Sequence, residues 1–149
     1  MPLWAPLYGA TFAQAIRRFF AKYADFTGRA SRSEYWWWVL FSVLIGIGIQ
    51  LLSLVFALPG SHVDQQGSFS PGPLVALPAM LGIAWAIGTI VPGLALVWRR
   101  LHDANLAGPL FFLVFIPFFG GIVLLVLTLL PSQPGGARFD RPPAFPRYA

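Results

Sequence analysis

The chain contains no cysteine. Disulfides, zinc ribbons, CxxC redox motifs and thiolate nucleophiles are therefore excluded. Charge is scarce as well: Asp, Glu, Lys and Arg make up 10% of the 149 residues, against about 25% in an ordinary soluble domain. Acids are the scarcer sign, with five Asp and Glu against ten Lys and Arg, for a formal net charge of +5. Apolar residues fill the space left. Hydrophobic residues make up 57% of the chain, aromatics 16%, and the mean hydropathy is +0.70. Disorder, which needs low hydrophobicity and high charge, does not fit. The composition points to the membrane class. There a basic excess is first a signal of how the chain is threaded, and nucleic-acid binding is not expected.

Three apolar runs carry no charge: Trp36–Ala57, Leu74–Trp98 and Leu110–Leu130. Each has about 20 residues or more, enough at ~1.5 Å per residue to cross the ~30 Å hydrocarbon layer. A core helix of a soluble protein this long would normally carry polar residues on one face. The third run has Pro117, Gly120 and Gly121 in its middle. It is read as a kinked spanning helix, with a re-entrant turn as the alternative. Non-helical backbone at that depth must be buried in protein or face water. Met1–Tyr8 has neither a basic start nor a small-residue cleavage site, so the first span is expected to serve as its own insertion signal.

Residues 8–24 have a different pattern. Phe12, Ile16, Phe19, Phe20 and Tyr23 share one helical face, with Arg17, Arg18 and Lys22 mostly on the other. That suits a helix lying in the headgroup plane, the alternative being a soluble helix packed on a partner. The junction 26–36 follows. Gly28 and Ser31 favour a break, and Ser31 with Glu34 forms a capping-box spacing that starts the first membrane helix near Arg32. Tyr35, Trp36, Trp37 and Trp38, and Trp98 at the end of the second run, are expected to anchor their helices at the interface. The loop Leu58–Pro73 is rich in turn residues and has no Lys or Arg. The tail from Pro131 is rich in Pro and Gly and is expected to be flexible. The chain thus divides into a cytoplasmic segment 1–34 with an interfacial amphipathic helix, a three-span membrane domain 35–130 and a tail 131–149. The expected fold class is an all-α membrane protein, with an interfacial helix followed by three transmembrane helices.

The basic residues set the orientation. Five precede the first span, none lies in the first loop, two lie in the second and three in the tail. With three spans, a cytoplasmic N-terminus puts seven of them inside and three outside. A re-entrant third segment puts all ten inside.

Two segments resemble a known family. Phe26-Thr-Gly-Arg-Ala-Ser-Arg-Ser-Glu-Tyr-Trp-Trp-Trp is similar to the opening motif of the DUF805 family of bacterial inner-membrane proteins. Arg99-Arg-Leu-His-Asp, followed by Gly108, an apolar span with Pro-x-x-Gly and then Leu-Pro-Ser-x-Pro-Gly, is similar to that family's second half. The resemblance covers residues 15–142. It implies a helical inner-membrane protein and names no activity.

On this threading Arg29, Arg32 and Glu34 meet the same membrane face as Arg99, Arg100, His102 and Asp103. The two clusters can pair across this face, for example Asp103 with Arg32, or Glu34 with Arg100. Arg offers bidentate hydrogen bonds to carboxylate or phosphate. The cluster reads as topology anchoring and helix clamping, or as a site for a phosphate-bearing headgroup. His102 and Asp103 are adjacent and point about 100° apart on a helix, so they make no ready dyad. The two histidines, His62 and His102, are expected on opposite membrane faces, and H-E-x-x-H, G-x-S-x-G and P-loop patterns do not occur. No catalytic residue, cofactor or metal is expected. Ala79, Gly82, Ala86, Thr89 and Gly93 form a small-residue stripe on the second span, and Ser42, Gly46, Gln50 and Ser53 one on the first. Such stripes pack helices, within one chain or between copies. The sequence therefore points to a non-enzymatic inner-membrane protein, multi-pass and with a cytoplasmic N-terminus. Its cytoplasmic Arg/His/Asp surface would bind anionic lipid headgroups or a partner protein. The alternative is a small transporter or channel subunit acting as a homo-oligomer.

Overall fold

The computed structural model describes residues 5–140. The remaining part of the expected flexible tail, with Arg141 and Arg147, lies outside the described residues. The elements run α1 (Phe12–Ala21), α2 (Arg32–Ala57), β1 (His62–Val63), β2 (Phe69–Ser70), α3 (Ala76–Asp103) and α4 (Gly120–Leu129), with short 3-10 segments at Pro73–Val75, Gly108–Phe115 and Pro134–Phe139. The protein is mostly helical, and α2 and the stretch Pro73–Asp103 are long and apolar enough to cross a membrane. Two compact units divide the chain: residues up to Trp38 together with those from Val91 on, and Val39–Ile90.

The unit Val39–Ile90 holds apolar helix and one small hairpin. In it Phe41 of α2 meets Trp85 of α3 edge-on, ring centroids 5.9 Å apart. Gly82 approaches Ile49 closely enough that an added Cβ would sit 3.5 Å from its methyl group. The expected small-residue stripes are only partly used. Gly82 and Thr89 lie on the half-buried side of α3, whereas Ala79, Ala86, Gly46 and Gln50 are exposed. Ser53 and Thr89 spend their hydroxyls on the carbonyls of Ile49 and Trp85, one turn back. That bond satisfies a hydroxyl within its own helix, so it needs no partner helix. β1 and β2 pair antiparallel, His62 opposite Ser70, and Asp64 closes the turn by accepting from the Gln66 and Ser68 amides.

The other unit carries the charged residues of the described part apart from Asp64. Its first helix, α1, is capped by Thr11 and Gln14, each side chain bonding the other's backbone amide. This T-x-x-Q box fixes the start inside the segment 8–24. α2 starts at Arg32, and the Ser31–Glu34 box forms as its spacing predicts: the Glu34 amide donates to Ser31 Oγ at 3.2 Å and the Ser31 amide to Glu34 Oε2 at 2.9 Å.

The third apolar run departs from the expected kinked helix. It is a 3-10 segment, Gly108–Phe115, then a turn, then the ten-residue α4. Pro117 brings no amide to continue the first segment, and Phe118 takes a left-handed φ of 65°. Gly120 then packs against the Leu113 and Val114 carbonyls, where a Cβ would not fit. Both ends of the run lie at the C-terminal end of α3. Gly108 sits against the Trp98 indole, in space any side chain would need. At the other end Arg100 Nε donates to the Thr128 carbonyl at 3.0 Å and its Nη2 to that of Leu130, while the Gln133 amide donates to the Asp103 carbonyl at 2.8 Å.

The start of the tail is folded. Within it Pro134–Phe139 forms a 3-10 turn, and the Gly28 amide donates to the Phe139 carbonyl at 2.9 Å. Gly28 has φ 76° there, a conformation that glycine takes without the Cβ penalty.

Candidate functional site

Around the end of α3 the structure buries an unusual amount of charge. Arg18, Lys22, Glu34, Arg99, Arg100, His102 and Asp103 are all buried. Charged side chains are almost never buried unless they are paired, so the pairing scheme decides what this region can do.

Among the described residues the ion pairs are Arg18–Glu34, Arg29–Asp140 and Arg100–Asp103, and neither example pairing is one of them. Glu34 pairs with Arg18 of α1 instead of Arg100. Its other oxygen accepts from the Leu7 and Ser31 amides at 3.2 and 2.9 Å. Asp103 pairs with Arg100, three residues before it on α3, at 2.8 Å, instead of with Arg32. Asp103 also accepts from Tyr8 Oη at 2.8 Å and from Ser132 Oγ. Arg29 forms a forked pair with Asp140, Nη2 to Oδ2 at 2.7 Å and Nε to Oδ1 at 3.0 Å. Arg32 is exposed and makes no ion pair among the described residues. The reason is geometric. A helix pairs positions three or four apart most readily, and α1 packs with Arg18 against Glu34.

This pairing also corrects the reading of α1. Ala15, Arg18 and Phe19 are buried, and Lys22 directly after the helix is 3% exposed. Arg18 and Lys22 therefore turn inward rather than toward headgroups, and of the three cations only Arg17 faces outward. Phe12, Phe20 and Tyr23 stay exposed, while Phe19 stacks on Trp38. Trp38 is thus a core residue at 6% exposure, not an interface anchor. Trp37 donates its indole N–H to the Ala10 carbonyl at 2.9 Å. Trp98 packs between Phe26 and Phe112. Tyr35 and Trp36 are half-buried and meet edge-on.

Outside the helical spans the electrostatics follow from these contacts. Burial and the bond to Asp103 push the Tyr8 hydroxyl up from its ordinary range. The Asp140 bond holds the Arg29 guanidinium higher still. Lys22 moves the other way. Burial, then the neighbouring Arg99 charge, then Arg18 pull its ammonium down to about 8, against weaker support from Glu34 and Asp25.

His102 accepts or donates through Nδ1 at the Gly28 carbonyl, 3.1 Å away, and stacks on Phe139 with ring centroids 4.0 Å apart. Together with Arg29–Asp140 it clamps the tail to the junction. Tyr8, Arg18, Lys22, Ser132 and Asp140 are members of this region that sequence reasoning missed. The hydrogen-bond partners of the Tyr8, Arg18, Ser132 and Asp140 side chains lie between 13 and 111 residues away, beyond any local spacing rule.

The comparisons agree with a membrane setting. The chain is 33% identical over 123 residues to the inner membrane protein YhaI of Escherichia coli K12, covering 83% of this chain and 89% of that one. It is 28% identical over 121 residues to the inner membrane protein YhaH of the same strain, covering 81% and 88%. No solved structure matches it. The buried arginine–carboxylate region lies within the stretch, residues 23–141, that matches the family described as a protein of unknown function, save for α1 and the residues just before it. With that match and those relatives, the chain belongs to the DUF805 family of membrane proteins.

Proposed function

We propose that this is a non-enzymatic inner-membrane protein whose polar unit sits on the cytoplasmic side and binds anionic lipid headgroups. The observation that carries the reading is the outward face of α1 and of the turn after it. Phe12, Phe20 and Tyr23 are 39%, 45% and 42% exposed, with Arg17 beside them. Aromatic side chains left open next to a cation suit the headgroup–acyl boundary, where the rings enter the bilayer and the guanidinium meets phosphate. The non-enzymatic part rests on the way the carboxylates of this region are used: Glu34, Asp103 and Asp140 are each held by an arginine.

In this reading α2 and α3 span the bilayer and residues 108–130 enter and leave from the cytoplasmic face. All ten Lys and Arg then lie on one side, and the loop Leu58–Pro73, which has none, on the other. The turn carries Phe115, Ile116, Phe118 and Phe119, with Phe118 94% exposed. An open aromatic tip of this kind is at home in hydrocarbon. The turn amides of Phe119 and Gly120 bond to the Pro117 and Ile116 carbonyls, both at 2.8 Å, which meets the demand that backbone inside a membrane be satisfied internally.

Single cysteines test the threading cleanly, because the chain has none. A cysteine at Gln65 should react with an impermeant maleimide in intact cells. Cysteines at Ala107 and Gln133, both exposed, should react only after permeabilisation. Labelling of Gln133→Cys from outside would return the third segment to a full span. For headgroup binding, the protein in nanodiscs should unfold at higher temperature when phosphatidylglycerol replaces part of the phosphatidylcholine. Arg17→Gln should remove a clear part of that gain, since one basic residue at an anionic surface contributes about 1 kcal/mol. An identical melting temperature in both lipids would refute the headgroup reading.

A further inference from the structure

Two buried cations are left over from the pairing scheme. Lys22 is 3% and Arg99 1% exposed. Lys22 Nζ and Arg99 Nη2 are buried side-chain nitrogens with no hydrogen-bond partner among the described residues. Arg99 uses Nε on the Ala95 carbonyl at 3.1 Å, which does nothing for the rest of its charge. The two side chains are electrostatic neighbours, and Arg99 is the largest of the charges acting on Lys22. The nearby carboxylates, Glu34 and Asp25, support Lys22 less strongly than burial, Arg99 and Arg18 oppose it, and each also holds other groups. Glu34 bonds Arg18, Leu7 and Ser31, and Asp25 Oδ1 accepts from the Thr27 amide and hydroxyl at 3.1 and 2.6 Å. Arg18, Lys22 and Arg99 against Glu34 and Asp25 leave one positive charge in excess.

A buried like-charged pair is unfavourable, because neither ion is compensated after leaving water. Orphaned buried donors in native proteins call for a physical explanation, of which a bound ion is one. We infer that Lys22 and Arg99 form an oxyanion site that holds a phosphate group, with Lys22 Nζ and Arg99 Nη2 as its donors. Lysine acts there as a point charge and arginine as a directed donor, the division of labour usual in phosphate recognition. The phosphate comes either free from the cytoplasm or as part of a lipid headgroup. The inference deepens the headgroup reading above by naming a second, buried point of contact, distinct from Arg17 on the outer face of α1.

The site also has a pH signature. Lys22 must be charged to attract an anion, and its ammonium titrates at about 8. Arg18 of α1, Arg99 of α3, Glu34 of α2 and Asp25, just before the junction, are the charges that act on it. Affinity should therefore fall as pH rises above about 8.

The test uses the full chain in phosphatidylcholine nanodiscs, with unfolding followed by tryptophan fluorescence. Potassium phosphate is compared with potassium chloride at equal ionic strength, and phosphatidic acid is compared with phosphatidylcholine. Stabilisation by phosphate alone identifies a soluble oxyanion, and stabilisation by phosphatidic acid alone identifies the headgroup. Either response should weaken at least tenfold in affinity in Lys22→Met and persist in Lys22→Arg. Lys22→Met removes a strained buried cation, so it should remain folded without ligand and at least as stable as the parent, which a merely structural lysine would not allow. Should Lys22→Met unfold, Arg99→Lys provides the second arm, retaining charge and losing most of the affinity. A parent indifferent to both phosphate and phosphatidic acid overturns the site, and so does a response that Lys22→Met leaves intact. If that intact response is lost in Arg17→Gln, the surface reading stands and the buried site alone fails. A phosphate response in nanodiscs that show no lipid dependence keeps the site and sinks the headgroup reading.

Discussion

Replacing Glu34 with alanine should destabilise the detergent-solubilised protein by about 3–5 kcal/mol, the usual cost of stranding a buried ionic partner. Glu34 is 3% exposed and answers the Arg18 guanidinium with one oxygen and two backbone amides with the other. Its charge also supports Lys22 and Arg99. Without it, three buried cations face Asp25 as the remaining carboxylate of the group. Glu34→Gln should cost less, because the amide oxygen still accepts and the side chain still fills its space. Combining Arg18→Met with Glu34→Ala should cost clearly less than the sum of the two single changes, since the double variant leaves no arginine stranded. It should still fall short of the parent by about 1–3 kcal/mol, the penalty for leaving buried backbone donors unmet. Equilibrium unfolding of the four variants measures the cycle. A simply additive result would mean that Arg18 and Glu34 act independently, and the pair would not organise the fold of α1 onto α2.

Asp103→Ala is the second large effect, expected at about 3–5 kcal/mol by the same reasoning. Asp103 and Arg100 have side chains with 0% exposure. Arg100 holds the end of α4 through the Thr128 and Leu130 carbonyls, and Asp103 orients Arg100 while collecting Tyr8 and Ser132. One carboxylate thus ties together the N-terminal residues, α3 and the segment after α4. The loss should reach beyond stability: a cysteine at Ser132 should become more reactive in Asp103→Ala than in the parent sequence, because the segment after α4 is released. Asp64→Ala is the control. Asp64 closes an exposed turn through the Gln66 and Ser68 amides, and such a change should cost no more than about 1 kcal/mol. Coupling should appear between Asp103→Ala and Arg100→Ala and should be near zero between Asp103→Ala and Arg32→Ala. The reverse pattern would restore the Asp103–Arg32 pairing that a shared membrane face suggests.

Much of the architecture was legible in the residues because it depends on local quantities. Run length and the absence of charge identified α2 and α3 as helices fit for a bilayer. The Ser31–Glu34 spacing located the start of α2. The motif around Arg29–Glu34 and the Arg99–Asp103 segment identified the family. Each of these needs only a period, a count or a spacing of three.

The fate of the third apolar run was not legible in the same way. Pro117 and Gly120 allow a kink and a turn equally, and hydropathy is the same for both. The choice falls to Arg100, whose bonds to Thr128 and Leu130 draw the end of α4 back to the end of α3. That contact spans about thirty residues and has no signature along the chain. The pairing of charges is of the same kind. Eligible acids and bases were visible, but a carboxylate takes the guanidinium that packing brings within about 3 Å in the right orientation. Composition and periodicity by themselves determined the membrane class, the two long helices and the asymmetry of basic residues. Tertiary structure alone decided which arginine each carboxylate holds, the inward turn of Arg18 and Lys22, and the two cations left over, because burial and pairing are properties of neighbours in space and not of neighbours along the chain.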